Sequence, residues 1–267
     1  MERVNVEGLG MQVRAARESK RISQLELALQ SGVSQRHLSF VETGKSTPSR
    51  DLLHTFMEAL DLPLAARNAL LMRAGYAPVY GQRALESEAM APVRTALESL
   101  LEAHAPSPAM VLDAHWNLIM ANRGLYALAH ALGGEALTNR LANAAQPINM
   151  LKLLFGNDGI RGAVLNFDEV AAELARRLRQ ECYQNPALIA LATELEAMLP
   201  NRHFSLAASL KPIAPVLATR FKTAQGELSF FSMFTTFGTP QDITAASLRV
   251  EHLFAADAPT RAVVSGW

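Results

Sequence analysis

Residues 23–49, SQLELALQSGVSQRHLSFVETGKSTPS, carry two sets of helix start and stop signals so close together that only two short helices joined by a tight turn accommodate them. Ser23 and Glu26 stand at capping-box spacing, where the serine oxygen and the glutamate side chain each satisfy a free backbone N–H at a helix start. Leu25, Ala28 and Leu29 follow at helical spacing, and Gly32 ends the helix because glycine takes the left-handed stop without steric cost. Ser34 caps the next helix, whose inward face is expected to be Leu38 and Val41, and Gly44 ends it. Ala28 is small where two helices crossing near a right angle need their backbones close. A generic helical hairpin has the same outline, but the surrounding side chains add a chemistry of their own. Gln24 lies in the first turn of the first helix, where backbone N–H groups and a side-chain amide meet a phosphate. Ser34, Gln35, Arg36, His37 and Ser39 lie at and beyond the start of the second helix, the end that enters a major groove, and they include base-reading side-chain types. The stretch reads as a helix-turn-helix that contacts DNA.

A chain of 267 residues is long enough for one large domain or two ordinary ones, and two are expected. Lys+Arg and Asp+Glu balance at 25 each, yet over residues 1–50 basic residues outnumber acidic ones eight to five, so the excess lies with the reader. So modest an excess predicts weak binding by one copy, and a homodimer is expected because paired half-sites add their binding energies. Cys182 is the sole cysteine, which rules out an intrachain disulfide and argues against a cysteine-based zinc site. The N-terminus lacks a signal-peptide pattern, and no apolar run approaches the roughly 20 residues of a membrane span. A cytoplasmic protein without membrane contact is expected.

Ahead of the reader, Leu9, Val13 and Ala16 give a first helix, with Arg14, Arg17, Lys20 and Arg21 around it. Arg17 is placed to pair with Glu42 near the end of the second reader helix, and burying such a pair fixes two helices in orientation at a desolvation cost. Lys45 and Arg50 flank a loop around Pro48, placed for phosphates or a minor groove. Ser49 caps a helix with Leu52, Leu53, Phe56, Met57 and Leu60 inward, and after Pro63 one more helix runs to Gly75 and Pro78. Five helices thus make an all-α first domain over residues 1–78. Residues 79–105 are expected to be a linker and a connecting helix, the latter with Val93, Leu97, Leu100 and Leu101 on its apolar face.

From residue 106 the period changes. AMVLDAHWNLIMAN reads as a hairpin turning at 113–115, then GLYALAHAL as a helix broken by Gly133 and Gly134, then a loop, then INMLKLLF as a helix ended by Gly156 and Gly159. The longest helical run, from 168 to about 184, turns Val170, Leu174 and Leu178 inward and Arg176, Arg177 and Arg179 outward as solvated charges. After a further helix, 214–223 and 226–236 read as strands, with Leu228, Phe230 and Phe234 on one face and Phe231, Met233 and Phe237 on the other. Apolar residues on both faces call for cover on both. SLRVEHLFAAD supplies a last strand. The second domain, 106–267, is therefore expected to be α+β with five antiparallel strands and helices between the second and third, an order that suits a PAS-like small-molecule sensor.

Over nearly its whole length the chain resembles the MmyB-like regulators with an XRE-type helix-turn-helix. The resemblance rests on SQRHLSFVETGKSTPSR and RNALLMRAGYAP in the first domain, and on DAHWNLIMANRG, INMLKLLFGNDGIR, VLNFDEVA and GELSFFSMFTTFGTPQDIT in the second. It implies a DNA-binding transcriptional regulator with a double-stranded operator as partner, whose C-terminal PAS-like domain holds a small hydrophobic, fatty-acid-like ligand. It also implies a phosphate contact at Gln24, base contacts at Gln35 and Arg36, a place near the minor groove for Arg50, and the buried pair of Arg17 and Glu42. Phe40 departs from the pattern, since such readers often carry a polar base contact there; a ring offers a thymine methyl contact or burial instead. Trp116, Met120, Met150, Leu154, Phe155, Phe231 and Phe234 fall in the matching motifs and are expected to line an apolar cavity, with Asn122, Asn149 or Arg161 holding the head group. For each of those apolar residues taken singly an ordinary core is the stronger reading, for Asn122 it is turn or helix capping, and for Arg161 a surface charge.

Two other readings share these residues. A second domain serving only dimerisation or a protein partner buries the aromatic strand 228–237 at an interface. A fused enzyme is the rival from another class, yet His104, His115, His130, His203 and His252 are scattered, and HExxH, GxSxG, P-loop and GxGxxG patterns are absent. No catalytic residue, cofactor or metal is expected.

Overall fold

The serine caps act as their spacing predicts: Ser23, Ser34 and Ser49 each accept a backbone N–H three residues on, from Glu26, His37 and Leu52. In the computed structural model, which describes residues 6–199 and 216–267, they open the second, third and fourth of five helices. These are α1 (Val6–Ser19), α2 (Gln24–Gln30), α3 (Gln35–Glu42), α4 (Arg50–Ala59) and α5 (Leu64–Arg73). Gly32 and Gly44 take φ of 66° and 72°, the left-handed region that releases the chain from α2 and α3. Leu9, Val13, Ala28, Leu38, Val41, Phe56 and Met57 share one core.

Two details add to the sequence reading. Leu25 and Leu29 are 54% and 72% exposed, and Leu27 is the buried leucine of α2. A seven-residue helix with leucines at three positions offers two apolar stripes, and the one carrying Leu27 and Ala28 meets α3 and α4. α1 makes a close backbone approach of its own to α3. A Cβ on Gly10 of α1 would lie 2.6 Å from the Glu42 carbonyl oxygen and still nearer that of Val41, so α1 rests on the end of α3 through a glycine.

Residues 79 and 80, expected in a linker, are fastened to α5 by one side chain. Asn68 donates to the Tyr80 carbonyl at 2.7 Å and accepts from the Val79 and Tyr80 N–H groups at 3.0 and 3.1 Å. Beyond them Gly81 forms a parallel bridge with Asp242, Ile243 donates its N–H to the Gly81 carbonyl at 2.8 Å, and Arg83 Nη1 donates to Asp242 Oδ2 at 3.1 Å. The first unit therefore runs to Ala84 and also takes in Thr239–Ala246, a segment inside the range 106–267.

The second unit comprises Leu85–Gly238 and Ser247–Trp267. It opens with α6 (Ala91–His104), β1 (Ala109–Leu112), β2 (Leu118–Ala121), α7 (Arg123–Ala142), α8 (Met150–Phe155), α9 (Phe167–Gln184) and α10 (Ile189–Ala197). It closes with β3 (Thr219–Thr223), β4 (Gly226–Thr236), β5 (Arg249–Ala255) and a helix at Ala258–Val264. The strands form one five-stranded antiparallel sheet in the order β2-β1-β5-β4-β3. The α+β order is as expected; the start of the strand read from 214 lies outside the described residues, as does His203, and β3 begins at Thr219. Gly133 and Gly134 kink α7 rather than end it: Gly134 adopts φ 64°, ψ −156°, and the helix resumes to Ala142 where a loop was expected.

One sheet face packs on the helices through Leu112, Phe155, Val170, Leu178 and Phe230. On the other, α6 lies against β1, and His104 reaches β5, its Nε2 hydrogen-bonded to the Leu253 carbonyl oxygen at 3.1 Å and its ring 4.8 Å from that of His252. Cover there is partial, because Phe231 stacks on Phe254 while Met233 is 53% exposed. Burial pushes the pKa of His252 below the ordinary 6.5, and His104 pushes the same way. A histidine depressed in the fold takes a proton more readily in the unfolded chain, so its contribution is present above pH 6.5 and lost as pH falls through that value. Replacing His252 with Gln is expected to flatten the fall in melting temperature as pH drops below 6.5 relative to wild type. Superimposable pH profiles for the two proteins would show that His252 is not responsible.

Candidate DNA reader and ligand site

The reader is held by a carboxylate drawn into its interior. Arg17 grips Glu42 side-on, with Nε to Oε1 at 2.6 Å and Nη2 to Oε2 at 3.1 Å, while Arg17 Nη1 donates to the Ile22 carbonyl at 2.8 Å. The Glu42 side chain is 1% exposed and that of Arg17 9%. Gln24 Nε2 donates to Glu42 Oε2 at 2.7 Å, so the residue expected at a phosphate is also part of this lock. An amide nitrogen carries two hydrogens, and Gln24 keeps one for an outside acceptor.

On α3, Gln35 and Arg36 are exposed, His37 and Ser39 half-buried, and Ser34 caps the helix through its hydroxyl oxygen. Lys45 and Arg50 are exposed. Phe40 was not foreseen in its role. Its ring, 36% exposed, lies 5.4 Å from the Arg36 guanidinium and 5.9 Å from Lys45 Nζ, so two of the basic residues gather around one aromatic ring.

In the second unit the ten residues expected at a ligand divide three ways. Trp116 and Phe155 are buried in one core cluster, with Met150, Leu154 and Phe234 packed against it. Phe231 and Met120 are elsewhere. Phe231 pairs with Phe254 and Met120 with Val111, which pairs with Val250; Phe254 and Val250 alternate with Glu251, the partner of Phe234. Side chains alternate along a strand, so Phe231 and Met120 occupy the opposite sheet face from Phe234. The three polar candidates already serve the fold. Asn122 accepts from the Ala109 and Leu125 N–H groups and donates to the Leu101 and Ser107 carbonyls, which uses all its bonding capacity. Asn149 caps α8 at Lys152 and donates to the His115 carbonyl, and Arg161 donates to the Met198 carbonyl with its guanidinium 4.5 Å from the Phe167 ring.

A different set of charges converges on Trp116. Glu181 of α9 accepts from Trp116 Nε1 at 2.9 Å, from Arg177 Nε at 3.0 Å and from Arg249 Nη1 at 2.8 Å. The Arg249 guanidinium lies 3.8 Å from the Trp116 ring centre and that of Arg177 3.8 Å from Phe234, so each planar cation rests on an aromatic face. Arg177 was read as a solvated charge, and nothing local marks Arg249 or Glu181. Arg249 Nε and Nη2 are buried, and no acceptor among the described residues reaches them. Burial pulls the Arg249 pKa down while Glu181 raises it. Burial also pushes the Glu251 carboxyl above the ordinary range, against a hydrogen bond from Ser232 and the nearby Arg177 and Arg249. Glu251 is thus a second carboxylate near the same two guanidinium groups.

Two clefts open elsewhere on this unit. One of about 110 Å³ is lined by Leu97, Leu100, Phe237 and Val250, and one of about 310 Å³ by Cys182, Ile189 and Ala192 with Arg179 and Glu196. Neither contains a residue expected at the ligand. Among the described residues no group of His, Cys, Asp and Glu is placed to hold a metal ion, and no helix is long and apolar enough to cross a membrane.

A capped helix-turn-helix on a five-helix unit, followed by an α+β unit, is the architecture of a helix-turn-helix protein with a second, distinct domain. Comparison with known families agrees: residues 13–66 match the helix-turn-helix model and residues 93–265 the MmyB-like transcription regulator ligand binding domain. The chain belongs to the MmyB-like transcription regulators. The HTH-type transcriptional regulator y4dL of Sinorhizobium fredii is 40% identical over 68 residues, 26% of this chain and 35% of that protein, so about a third of that relative's length is spanned. The crystal structure of the clp gene regulator ClgR from Corynebacterium glutamicum is 30% identical over 38% of this chain and 93% of that one. Its TM-score is 0.23, and none of its geometry is carried over.

Removing one partner of a buried ion pair leaves the other uncompensated, which costs roughly 3–5 kcal/mol. Glu18 remains 3.6 Å from Arg17, so the Glu42→Gln substitution is expected near the lower end, about 3 kcal/mol, in chemical denaturation of the full chain. An unchanged unfolding midpoint would show that the pair does not hold the reader together.

Proposed function

We propose that the regulator acts as a cytoplasmic homodimer whose readers bind paired half-sites of a double-stranded operator and whose second unit senses a small hydrophobic, fatty-acid-like ligand. In each reader Gln35, Arg36, His37 and Ser39 face base edges from the first half of α3, while Gln24, Ser34, Lys45 and Arg50 meet phosphates and groove walls. The observation that carries this reading is the exposure of Gln35 and Arg36 on a helix whose far end is locked by Arg17, Glu42 and Gln24. Base readout needs side chains that are free at the tip and fixed at the root. The Phe40 ring, flanked by Arg36 and Lys45, suits a thymine methyl group at the same surface.

Pairing of two copies is supported by the apolar surface that the second sheet face leaves open at Met233. Ligand sensing is supported by the cluster of Trp116, Phe234, Arg177 and Arg249, where aromatic walls enclose cationic groups. A ligand there changes operator affinity only as far as it binds the two states of the regulator unequally.

Replacing Arg36 with Ala is expected to relax base preference and weaken binding to the best operator by about 1–3 kcal/mol, read by footprinting and titration at fixed salt. An unchanged footprint and affinity would remove Arg36 from the reader. Native mass spectrometry of the purified full chain is expected to show a dimer and, on denaturation, a released hydrophobic small molecule near one per subunit. A dimer releasing nothing, and unmoved in melting temperature by any added lipid, would favour a second unit that serves only association.

A further inference from the structure

Phe40 stands apart from its apolar neighbours on α3. Leu38 and Val41 belong to the core of the first unit, and Phe40 does not. Its ring is 36% exposed, with the Arg36 guanidinium 5.4 Å and Lys45 Nζ 5.9 Å from the ring centre. The backbone helps to set this grouping: the Phe40 carbonyl accepts the N–H groups of Lys45 at 2.8 Å and Ser46 at 3.1 Å, which folds the loop after α3 back on this residue. A ring left in water forgoes the gain of burial, and an apolar protein surface laid over it would bury two cations unpaired. Duplex DNA brings phosphates to meet those cations. On the floor of its major groove the one apolar group is the C5-methyl of a pyrimidine.

We infer that Phe40 makes the reader a sensor of cytosine methylation: its ring packs on the C5-methyl group of a pyrimidine, in a base pair next to the one that Arg36 contacts, and takes 5-methylcytosine there as it takes thymine. Arg36 and Phe40 are one turn apart on α3, about 6 Å along its axis, so guanidinium and ring reach neighbouring base pairs, which are stacked about 3.4 Å apart. Thymine and 5-methylcytosine carry the same methyl group at the same place, whereas uracil and cytosine present a bare C–H edge there. A phenyl ring has no hydrogen bond to offer, so it distinguishes the two pairs of bases by that methyl alone. Methylation of a cytosine at this position therefore strengthens operator binding, where a polar side chain at residue 40 would gain nothing from it. This assignment rests on the reading of α3 as the helix that contacts base edges.

The test uses the full chain and the duplexes it enriches from a random-sequence pool. In the enriched half-site each thymine is replaced in turn by deoxyuridine and each cytosine by 5-methylcytosine, and affinity is titrated at fixed salt. At one pyrimidine position wild type is expected to lose about fourfold in affinity when the methyl is absent, the worth of one buried methyl group. A similar ratio is expected between 5-methylcytosine and cytosine placed there opposite guanine. Phe40→Ala is expected to bind the methyl-free duplex much as wild type does and to show no methyl preference, while Phe40→Leu, which keeps an apolar side chain, retains most of it. Binding by wild type that ignores the methyl at every pyrimidine overturns the assignment and leaves the reader standing. A full methyl preference kept by a folded Phe40→Ala protein also overturns it. Failure to enrich any duplex overturns both this assignment and the reading of α3 on which it rests.

Discussion

Glu42 is almost wholly withdrawn from water, and the orientation of the reader follows from the groups that meet it. Three donors converge on its two oxygens, two from Arg17 on α1 and one from Gln24 on α2, and the remaining donating nitrogen of Arg17 ties down the Ile22 carbonyl just before α2. Apolar packing is non-directional and tolerates sliding, whereas a two-pronged ion pair tolerates little. The glycine at position 10 lets α1 come close enough to α3 for this contact to form. Arg14 and Glu18, paired on the solvent side of the same helix, have water to replace them and fix nothing.

The same reasoning, applied without charge, organises the second unit. Asn122 unites α6, β1 and the start of α7 through bonds to Leu101, Ala109 and Leu125, so a single amide aligns three elements that apolar contact alone would leave free to shift. Its full satisfaction marks it as framework. Arg249 is the contrasting case: its Nε and Nη2 are buried with no acceptor among the described residues to meet them.

What was legible in the sequence was local. Caps three residues from their targets and glycines at helix ends can be read from adjacent letters, and the five helices of the first unit followed from them; the strands of the second were read from alternation, and their order in the sheet was not read at all. The inner face of α2 was not read, because two stripes compete in a helix of two turns. Phe231 and Phe234 were grouped by their shared motif although alternation along the strand had already placed them on opposite faces. The head-group candidates were chosen within the motifs that carry the resemblance, while the charges that gather at Trp116 come from 65 residues away at Glu181 and, across a further 68, from Arg249. No pattern of spacing encodes a meeting of that range. Arg17 and Glu42, 25 residues apart, were found because the helices between them are short and their turns are fixed.

The strap of residues that leaves β4 and returns to β5 belongs with the helices, where Asp242 receives Arg83 and pairs with Gly81. The two units are therefore interleaved in the gene. A recombination event or a cloning boundary after residue 84 separates Arg83 from its carboxylate and strips Gly81 of its neighbour, so the reader is not a cassette that can be cut out and joined to another sensor intact. Modular exchange, the common route by which regulators acquire new inputs, is closed to this chain unless the exchanged piece carries the β4–β5 connection with it.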